Sequence, residues 1–492
     1  MVINRETVRL DSKLNAITLD ILRGERGLTE VKEGCREGDC GACTVMLGSL
    51  RQNGTVDYQA VNSCLLPAAA IAGKHLVTVK GINPDGSNLN PIQEAFLAEG
   101  AVQCGFCTPG ILMALTAHLL SAREPDTESA CHAIAGNICR CTGYAAIRRA
   151  VDRLFKSIPH LWGKERVKKL ISLEILPEYF IHIPEKLKAI KPAAESTPGD
   201  IENNQVYVAG GTDLFVHPSH ELKCRPLKFL DPATGPNGIK ITRSHMEVTA
   251  ELTTEAFRRA PKIRQLWPKL PEMLKLVSSV QIRNRATIAG NIVNASPIGD
   301  ISIILLALDA ELELTEKGKK RRMPLKVFFI DYKKTALPPG GRLTRLFIPL
   351  PGPEVQFHFE KVSRRQHLDI ASVNTAIQIS LRDGRITDLG LAAGGVAPVP
   401  LFLEQTVAFL RGKVVTATVL EEALAVLDRE IAPISDMRGS AEYKRRLLRN
   451  LFLSHFLTLF PDRTARDSSF LELLKATGNP RAKKSDSRRR RK

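Results

Sequence analysis

Cys35-Arg-Glu-Gly-Asp-Cys40-Gly-Ala-Cys43 places three thiols in a C-x4-C-x2-C pattern, and a fourth, Cys64, follows in a separate segment. This step, in a loop that also carries Gly34, Gly38 and Gly41, is a [2Fe–2S] spacing. Two irons and two sulfides need four thiolates wrapped from one side, and glycine tolerates the positive φ that so tight a curl demands. A structural zinc site is the competing reading, but zinc sites seldom use a five-residue step in so glycine-rich a loop. Around this loop, residues 1 to about 80 read as short strands: VRLDS, AITLDIL, CTVMLGSL, TVDYQAVNSCL and HLVTVKGI, punctuated by Gly27, Gly48, Gly54 and Gly73.

From about residue 84 to 160 the pattern turns helical. Asn90-Pro-Ile-Gln93 is a capping box with proline at the first helical position, and Gly100 ends that helix. Pro109 opens a second, with Ile111, Leu112, Leu115 and Leu119 on one face. A third runs from about Asp126 to Ala135, and a fourth starts near Tyr144. Cys104-Gly-Phe-Cys107 precedes the second helix and Cys139-Arg-Cys141 the fourth. Free amides and the dipole at helix N-termini favour thiolates and a negative cluster. The spacing of this second set alone leaves a four-cysteine zinc site open.

The chain has 492 residues and 43% hydrophobic residues, enough for three or four packed cores. Eight of its ten cysteines fall in the two groups, which points to metal rather than disulfides; Cys131 and Cys224 read as small buried hydrophobes. No apolar run is long enough for a membrane helix, and the N-terminus lacks a signal-peptide core, so a cytoplasmic protein with no membrane insertion is expected. The formal charge is +18, part of it in Arg481–Lys492, with eight Lys/Arg against one Asp. No nucleic-acid motif accompanies that run, and a solvated tail is expected, with no nucleic-acid partner.

Two further stretches have the composition of a ligand cradle. Val208, Ala209, Gly210, Gly211, Thr212 and Asp213 follow a strand that takes in Val206 and Tyr207; a glycine pair there lets backbone amides approach a pyrophosphate closely, and an ordinary tight turn is the competing reading. Gln281–Asp300 sets Thr287, Asn291, Asn294 and Ser296 in an otherwise apolar context.

VKEGCREGDCGACTVML, QCGFCTPGILMAL and GNICRCTGYAAI, in that order, resemble the xanthine dehydrogenase and aldehyde oxidase family of molybdenum hydroxylases. The resemblance continues through both cradle stretches and through FFIDYKKTALPPG, EKVSRRQHLDIASVN, AAGGVAPVP and PISDMRGSAEYKRR, covering about Thr7 to Phe460. It implies a multidomain α+β chain: a β-grasp [2Fe–2S] ferredoxin-like domain (1–82), a four-helix [2Fe–2S] bundle (83–160), an α+β FAD-binding domain (201–352) and a C-terminal α+β flavoprotein domain (353–460); outside the resemblance fall a linker (161–200), read from the Lys/Pro-rich stretch Pro184–Asp200, and the basic tail (461–492).

It also implies Cys35, Cys40, Cys43 and Cys64 as ligands of one cluster and Cys104, Cys107, Cys139 and Cys141 of the other, with Gln103 beside the inner cluster. FAD would contact Val206–Asp213, Thr287, Ile288, Ala289, Gly290, Asn291, Asp300, Leu343 and Lys361. Ala289 stands where the family usually has glycine, and Val277 where some members have an aromatic. The implied activity is electron transfer from a molybdopterin-binding large subunit, through both clusters, to FAD and on to NAD during xanthine or hypoxanthine oxidation, in a heteromer such as (αβ)2. The catalytic residues and the molybdopterin would lie on that partner. A related hydroxylase of another N-heterocycle, an aldehyde or an aromatic thioester is the nearest alternative. A non-enzymatic iron–sulfur redox or sensor protein is the alternative of another class.

Overall fold

The computed structural model describes residues 1–83, 86, 88–122, 124–158, 165–190, 205–216, 226–464 and 468–476. They form two compact units, Met1–Pro232 with Ser278–Ala286, and Ala233–Val277 with Thr287 onward.

The first unit opens with a five-stranded sheet of order β2-β1-β5-β3-β4, made of β1 (Val2–Ile3), β2 (Glu6–Thr7), β3 (Thr44–Leu50), β4 (Val56–Asn62) and β5 (His75–Val77). β1 and β5 run parallel and the other pairs antiparallel. AITLDIL, expected as a strand, is instead the helical segment Thr18–Asp20 continued by the π-turn Ile21–Glu25. Its buried residues Thr18, Leu19, Ile21 and Leu22 recur at helical spacing, which overrides the apparent alternation. Leu19 and Leu22 pack on Val45, Leu47, Val61 and Leu76, so the sheet grips this helix.

Helices Pro91–Ala98, Thr108–Ser121, Thr127–Ala133 and Ala145–Ser157 form the bundle that follows. Asn90 Oδ1 accepts from the Gln93 amide at 3.0 Å and Gln93 Oε1 from the Asn90 amide at 2.9 Å, closing the expected box. Helix Thr108–Ser121 is buried on every side from Gly110 to Leu119, so it is the bundle's central member.

The expected linker is corrected over residues 165–190. Helix Arg166–Ser172, the 3-10 turn Glu178–His182 and helix Ile183–Ala189 occupy it. Leu170, Ile175, Leu176 and Phe180 join the bundle core, and Ile183 and Leu187 pack on Val2. The Phe180 ring lies 5.5 Å from His75 and 5.6 Å from Tyr58. Dense lysine and glutamate in this stretch disguise the apolar residues that dock it. The unit closes with parallel strands β6 (Val206–Val208) and β7 (Leu227–Phe229).

The second unit holds an antiparallel sheet of order β11-β10-β14-β9-β8, with β8 (Ile239–Ile241), β9 (His245–Thr249), β10 (Glu311–Glu316), β11 (Lys319–Pro324) and β14 (Arg342–Pro349). A small hairpin, β12 (Phe329–Asp331) with β13 (Lys334–Thr335), lies between. A second antiparallel sheet, β15 (Gln356–Val362), β16 (Val373–Arg382), β17 (Arg385–Gly394) and β18 (Leu401–Phe402), is covered by helices Glu404–Leu410, Ala417–Glu430 and Ala441–Leu459. Helix Asp300–Ala307 is buried along its whole length. It sits directly on β17, where a Cβ on Gly390 would fall 2.2 Å from the Ala307 carbonyl oxygen.

His358 and His455 meet in this interior, Nδ1 to Nδ1 2.8 Å, and burial pushes the His358 imidazole down to about 4. The expected tail is corrected over its first part: helices Pro461–Thr464 and Ser468–Ala476 carry Phe470, Leu473 and Leu474 into the same core. Arg481–Lys492 and Cys224 lie outside the described residues. Among the described residues no helix is long and apolar enough to cross a membrane.

Candidate redox centres and flavin-binding segments

Cys35, Cys40 and Cys43 lie on the loop before β3, and Cys64 on the 3-10 turn Ser63–Leu65 that follows β4. The loop curls through positive φ at Arg36 (59°), Gly38 (83°) and Gly41 (67°). The curl turns the amides of Glu37, Asp39 and Cys40 toward Cys35 Sγ, at 3.4, 3.3 and 3.3 Å. The Cys35 amide in turn donates to Cys40 Sγ at 3.4 Å. Contact with the Cys40 thiol, then these amides, hold the Cys35 thiol down at about 5. Cys43 and Cys64, both buried, touch each other, and that contact lowers Cys43.

In the second set Cys107 caps helix Thr108–Ser121, while Cys139 and Cys141 precede helix Ala145–Ser157. Cys104 and Cys141 bring their sulfurs to 3.5 Å, and Cys107 touches Cys139. Desolvation pushes Cys107 up to about 12. The Cys139 amide donates to the Tyr144 hydroxyl at 3.1 Å, and Thr142 Oγ1 lies 3.1 Å from Cys139 Sγ.

Among the described residues no three His, Cys, Asp or Glu side chains gather around one metal-ion position. The eight thiols come instead as four pairs, Cys35 with Cys40, Cys43 with Cys64, Cys104 with Cys141 and Cys107 with Cys139. A [2Fe–2S] cluster draws two protein thiolates to each iron, so two pairs per set fit its donor requirement.

The two sets are joined backbone to backbone. The Ile138 amide donates to the Cys40 carbonyl at 2.9 Å, linking a ligand of the first set to the neighbour of Cys139. Asn137 Nδ2 donates to the Gly41 carbonyl at 2.8 Å, and Gln281 Nε2 to Asn137 Oδ1 at 2.9 Å. A Cβ on Gly41 would meet the Gly136 carbonyl oxygen at 2.3 Å, and one on Gly110 the Gly41 carbonyl oxygen at 2.3 Å. Side chains are excluded from this seam.

The segments expected to contact flavin divide between the units. In the first, β6 runs into Gly210 and Gly211. A Cβ on Gly210 would lie 2.1 Å from the Arg285 carbonyl oxygen, and Gly211 has φ 77°. The glycine pair is therefore required by the turn and by its neighbour, before any ligand is considered. Asp213 is exposed and Thr212 half-buried.

In the second unit Thr287 caps helix Ile288–Val293, its hydroxyl accepting from the Gly290 amide at 3.1 Å. Ala289 lies inside that helix with no positive φ, so the missing glycine costs the backbone nothing there. Asn291 Oδ1 accepts from Ser302, amide and hydroxyl both at 3.3 Å. Asp300 and Lys361 come together as a buried pair at 2.7 Å, and Asp300 also accepts from Asn374 Nδ2 at 2.5 Å. Lys361 donates in addition to the Leu276 carbonyl at 2.9 Å. Leu343 is buried on β14 among core residues, so only its main chain is available to a ligand.

Sequence reasoning missed Asn137, Arg285 and Asn374. Asn374 left one trace, a polar residue in the apolar run of β16, where it is fully buried. Arg285 left none, because an arginine in a polar stretch reads as surface.

Four family models match the chain in succession. They are a 2Fe-2S iron-sulfur cluster binding domain (residues 1–69), a [2Fe-2S] binding domain (78–152), an FAD binding domain in molybdopterin dehydrogenase (178–351) and a CO dehydrogenase flavoprotein C-terminal domain (358–459). Xanthine dehydrogenase of Blastobotrys adeninivorans is 30% identical over 92% of this chain and 40% of its own length. Xanthine dehydrogenase 1 of Arabidopsis thaliana is 30% identical over 91% of this chain and 38% of its own length. The chain thus spans about two fifths of the length of these relatives. Among solved structures, carbon monoxide dehydrogenase of Hydrogenophaga pseudoflava is 25% identical, covering 52% of this chain and 88% of that chain, with a TM-score of 0.48.

Proposed function

Because the chain belongs to the molybdenum hydroxylase family, as its iron–sulfur and FAD portion, we propose that it carries electrons from a molybdopterin-binding partner to NAD during oxidation of xanthine or hypoxanthine. The observation that carries this reading is the pair of thiol quartets tied together through the Ile138–Cys40 hydrogen bond. FAD, when bound, accepts electrons one at a time and releases them as a pair, the form a hydride acceptor needs.

The chain's own residues have three tasks. Cys35, Cys40, Cys43 and Cys64 hold one cluster, and amides of Glu37, Asp39 and Cys40 set its potential by donating to the Cys35 sulfur. Cys104, Cys107, Cys139 and Cys141 hold the other, with its Cys104–Cys141 side open to a partner. Val206–Asp213 in one unit, and Thr287–Asn291, Asp300, Leu343 and Lys361 in the other, supply the flavin contacts. The Asp300–Lys361 pair holds two opposite charges at a fixed point where a flavin polar group can exchange hydrogen bonds with either. Substrate is bound and oxidised outside these 492 residues, on the molybdopterin-binding subunit, in a cytoplasmic heteromer such as (αβ)2.

Metal and flavin analysis with a reduction assay tests the reading. About four irons and four sulfides per chain, with one FAD, are expected. With the molybdopterin-binding chain added, xanthine should bleach the iron–sulfur absorption and produce NADH. Stoichiometric zinc would overturn the cluster assignment. Reduction by an aldehyde or another N-heterocycle, but not by xanthine or hypoxanthine, would overturn the substrate.

A further inference from the structure

Arg285 stands behind the Gly210–Gly211 turn, its carbonyl pressed against Gly210. The residue is 5% exposed. Among the described residues its guanidinium makes no hydrogen bond and no ion pair, and its Nε is buried without a partner. The carboxylate whose field reaches it is Asp231, just past β7. Asp231 already serves Lys74, whose Nζ lies 3.3 Å from Asp231 Oδ1.

Two cations therefore share one carboxylate, and the Asp231 side chain is 88% exposed, where water weakens its field. Desolvation pushes Arg285 down to about 10, and desolvation followed by the charge of Arg285 lowers Lys74. The surplus is one positive charge. A buried guanidinium with no acceptor is a costly arrangement unless an anion completes it. Gly210 and Asp231 both lie beyond the carboxyl ends of the parallel strands β6 and β7, the edge at which parallel sheets receive ligands.

We propose that Arg285, with Lys74 beside it, is an anion site that takes a phosphate of the flavin dinucleotide. The inference rests on the reading that the chain binds FAD. A guanidinium presents a planar fork of donors matched to two phosphate oxygens, and one phosphate of the diphosphate carries the single negative charge the site lacks. Glycine at 210 and 211 keeps side chains out of the turn alongside.

Flavin-free protein titrated with FAD and with riboflavin, read by flavin fluorescence, tests this. Arg285→Gln should weaken FAD about ten- to a hundred-fold, the loss of charged hydrogen bonds, and leave riboflavin unchanged. Arg285→Lys should recover part of the loss. Unchanged iron content and cluster signals show that the variant is folded. If Arg285→Gln does not fold, Lys74→Gln should weaken FAD by a smaller factor while sparing riboflavin. FAD binding within about twofold of the parent in a folded variant overturns the proposal. So does an equal loss for riboflavin, which would make Arg285 a structural support.

A parent protein that binds no FAD would instead sink the flavin reading. The anion site then stands if pyrophosphate raises the melting temperature of the parent and not of Arg285→Gln, and falls if neither responds.

Discussion

In the first thiol set Cys43 and Cys64 are buried and Cys35 and Cys40 partly so, whereas in the second Cys104 and Cys141 stand exposed beside buried Cys107 and Cys139. The first relies on a loop bent through three positive-φ residues, a curl that aims three amides at Cys35 Sγ and one at Cys40 Sγ. The second also turns through positive φ, at Gly105 (78°), Gly143 (61°) and Tyr144 (67°), but leads directly into two helices that bring two short cysteine pairs face to face. The loop encloses two of its sulfurs; the helix pair leaves one edge, Cys104 and Cys141, open to the surroundings. A carrier that must both receive and protect electrons has use for one site of each kind.

The comparison breaks most severely at the seam. Gly41→Val would have to adopt φ 67° and push a side chain into the Gly136 carbonyl, 2.3 Å from the new Cβ. The conformation alone costs on the order of 1–3 kcal/mol. Both cluster signals should vanish from the electron paramagnetic resonance spectrum; survival of the helical-bundle signal would mean that the two sets assemble independently. Next in size, Cys139→Ser should remove one signal, with iron falling from about four to about two per chain. Loss of both in a folded protein would mean the grouping into sets is wrong. Smaller still is a difference in rate. A water-soluble iron chelator should strip the Cys104–Cys141 side several-fold faster than the enclosed set. Equal decay of the two signals over time would deny that exposure governs access.

The smallest effect lies in the second unit and serves as a control for both sets. His358 is held near 4, below the ordinary histidine value of about 6.5. The unfolded chain therefore binds more protons between those values, so stability is full above about pH 6.5 and falls as pH drops toward 4. Calorimetry should show the second unit melting several degrees lower at pH 5 than at pH 7, and His358→Gln should flatten that slope. A flat profile in the parent would show that the histidine pair does not resist protonation.

How far the sequence could be read depended on whether a signal was local. The Asn90–Gln93 box formed as expected because its two hydrogen bonds lie within four residues. Of the four thiol pairs only Cys35 with Cys40 is local; the other three join separate segments, so the sequence showed the cysteine groups but not the pairing within them. AITLDIL misled because a short apolar run satisfies period two and period 3.6 at once, and only the sheet above it decides. Residues 165–190 misled because their anchors are few among many charges, and their partners lie in the N-terminal sheet and bundle, remote in sequence. Asp300 and Lys361 were each expected at the flavin but not as partners of one another, since 61 residues separate them. Arg285 was invisible for a different reason: a buried, unpartnered charge is defined by what surrounds it.

The packing of Ile183 and Leu187 on Val2 also sets an order of events in time. The Val2 side chain, beside Leu50 and Val56, is fully covered once residues made about 180 positions later arrive. At about 5–20 residues per second, the ribosome needs roughly 7 to 28 seconds after Cys43 to deliver Ile183. Throughout the interval the loop that carries Cys35, Cys40 and Cys43 belongs to a sheet whose Val2 side chain is still partly uncovered, which leaves a window in which to load iron before the structure shuts. A chain ending at Ile158 should stay in that window, and its Val2 amide should exchange with deuterium much faster than in the full protein. Equal protection in the two would mean that the strand seals itself.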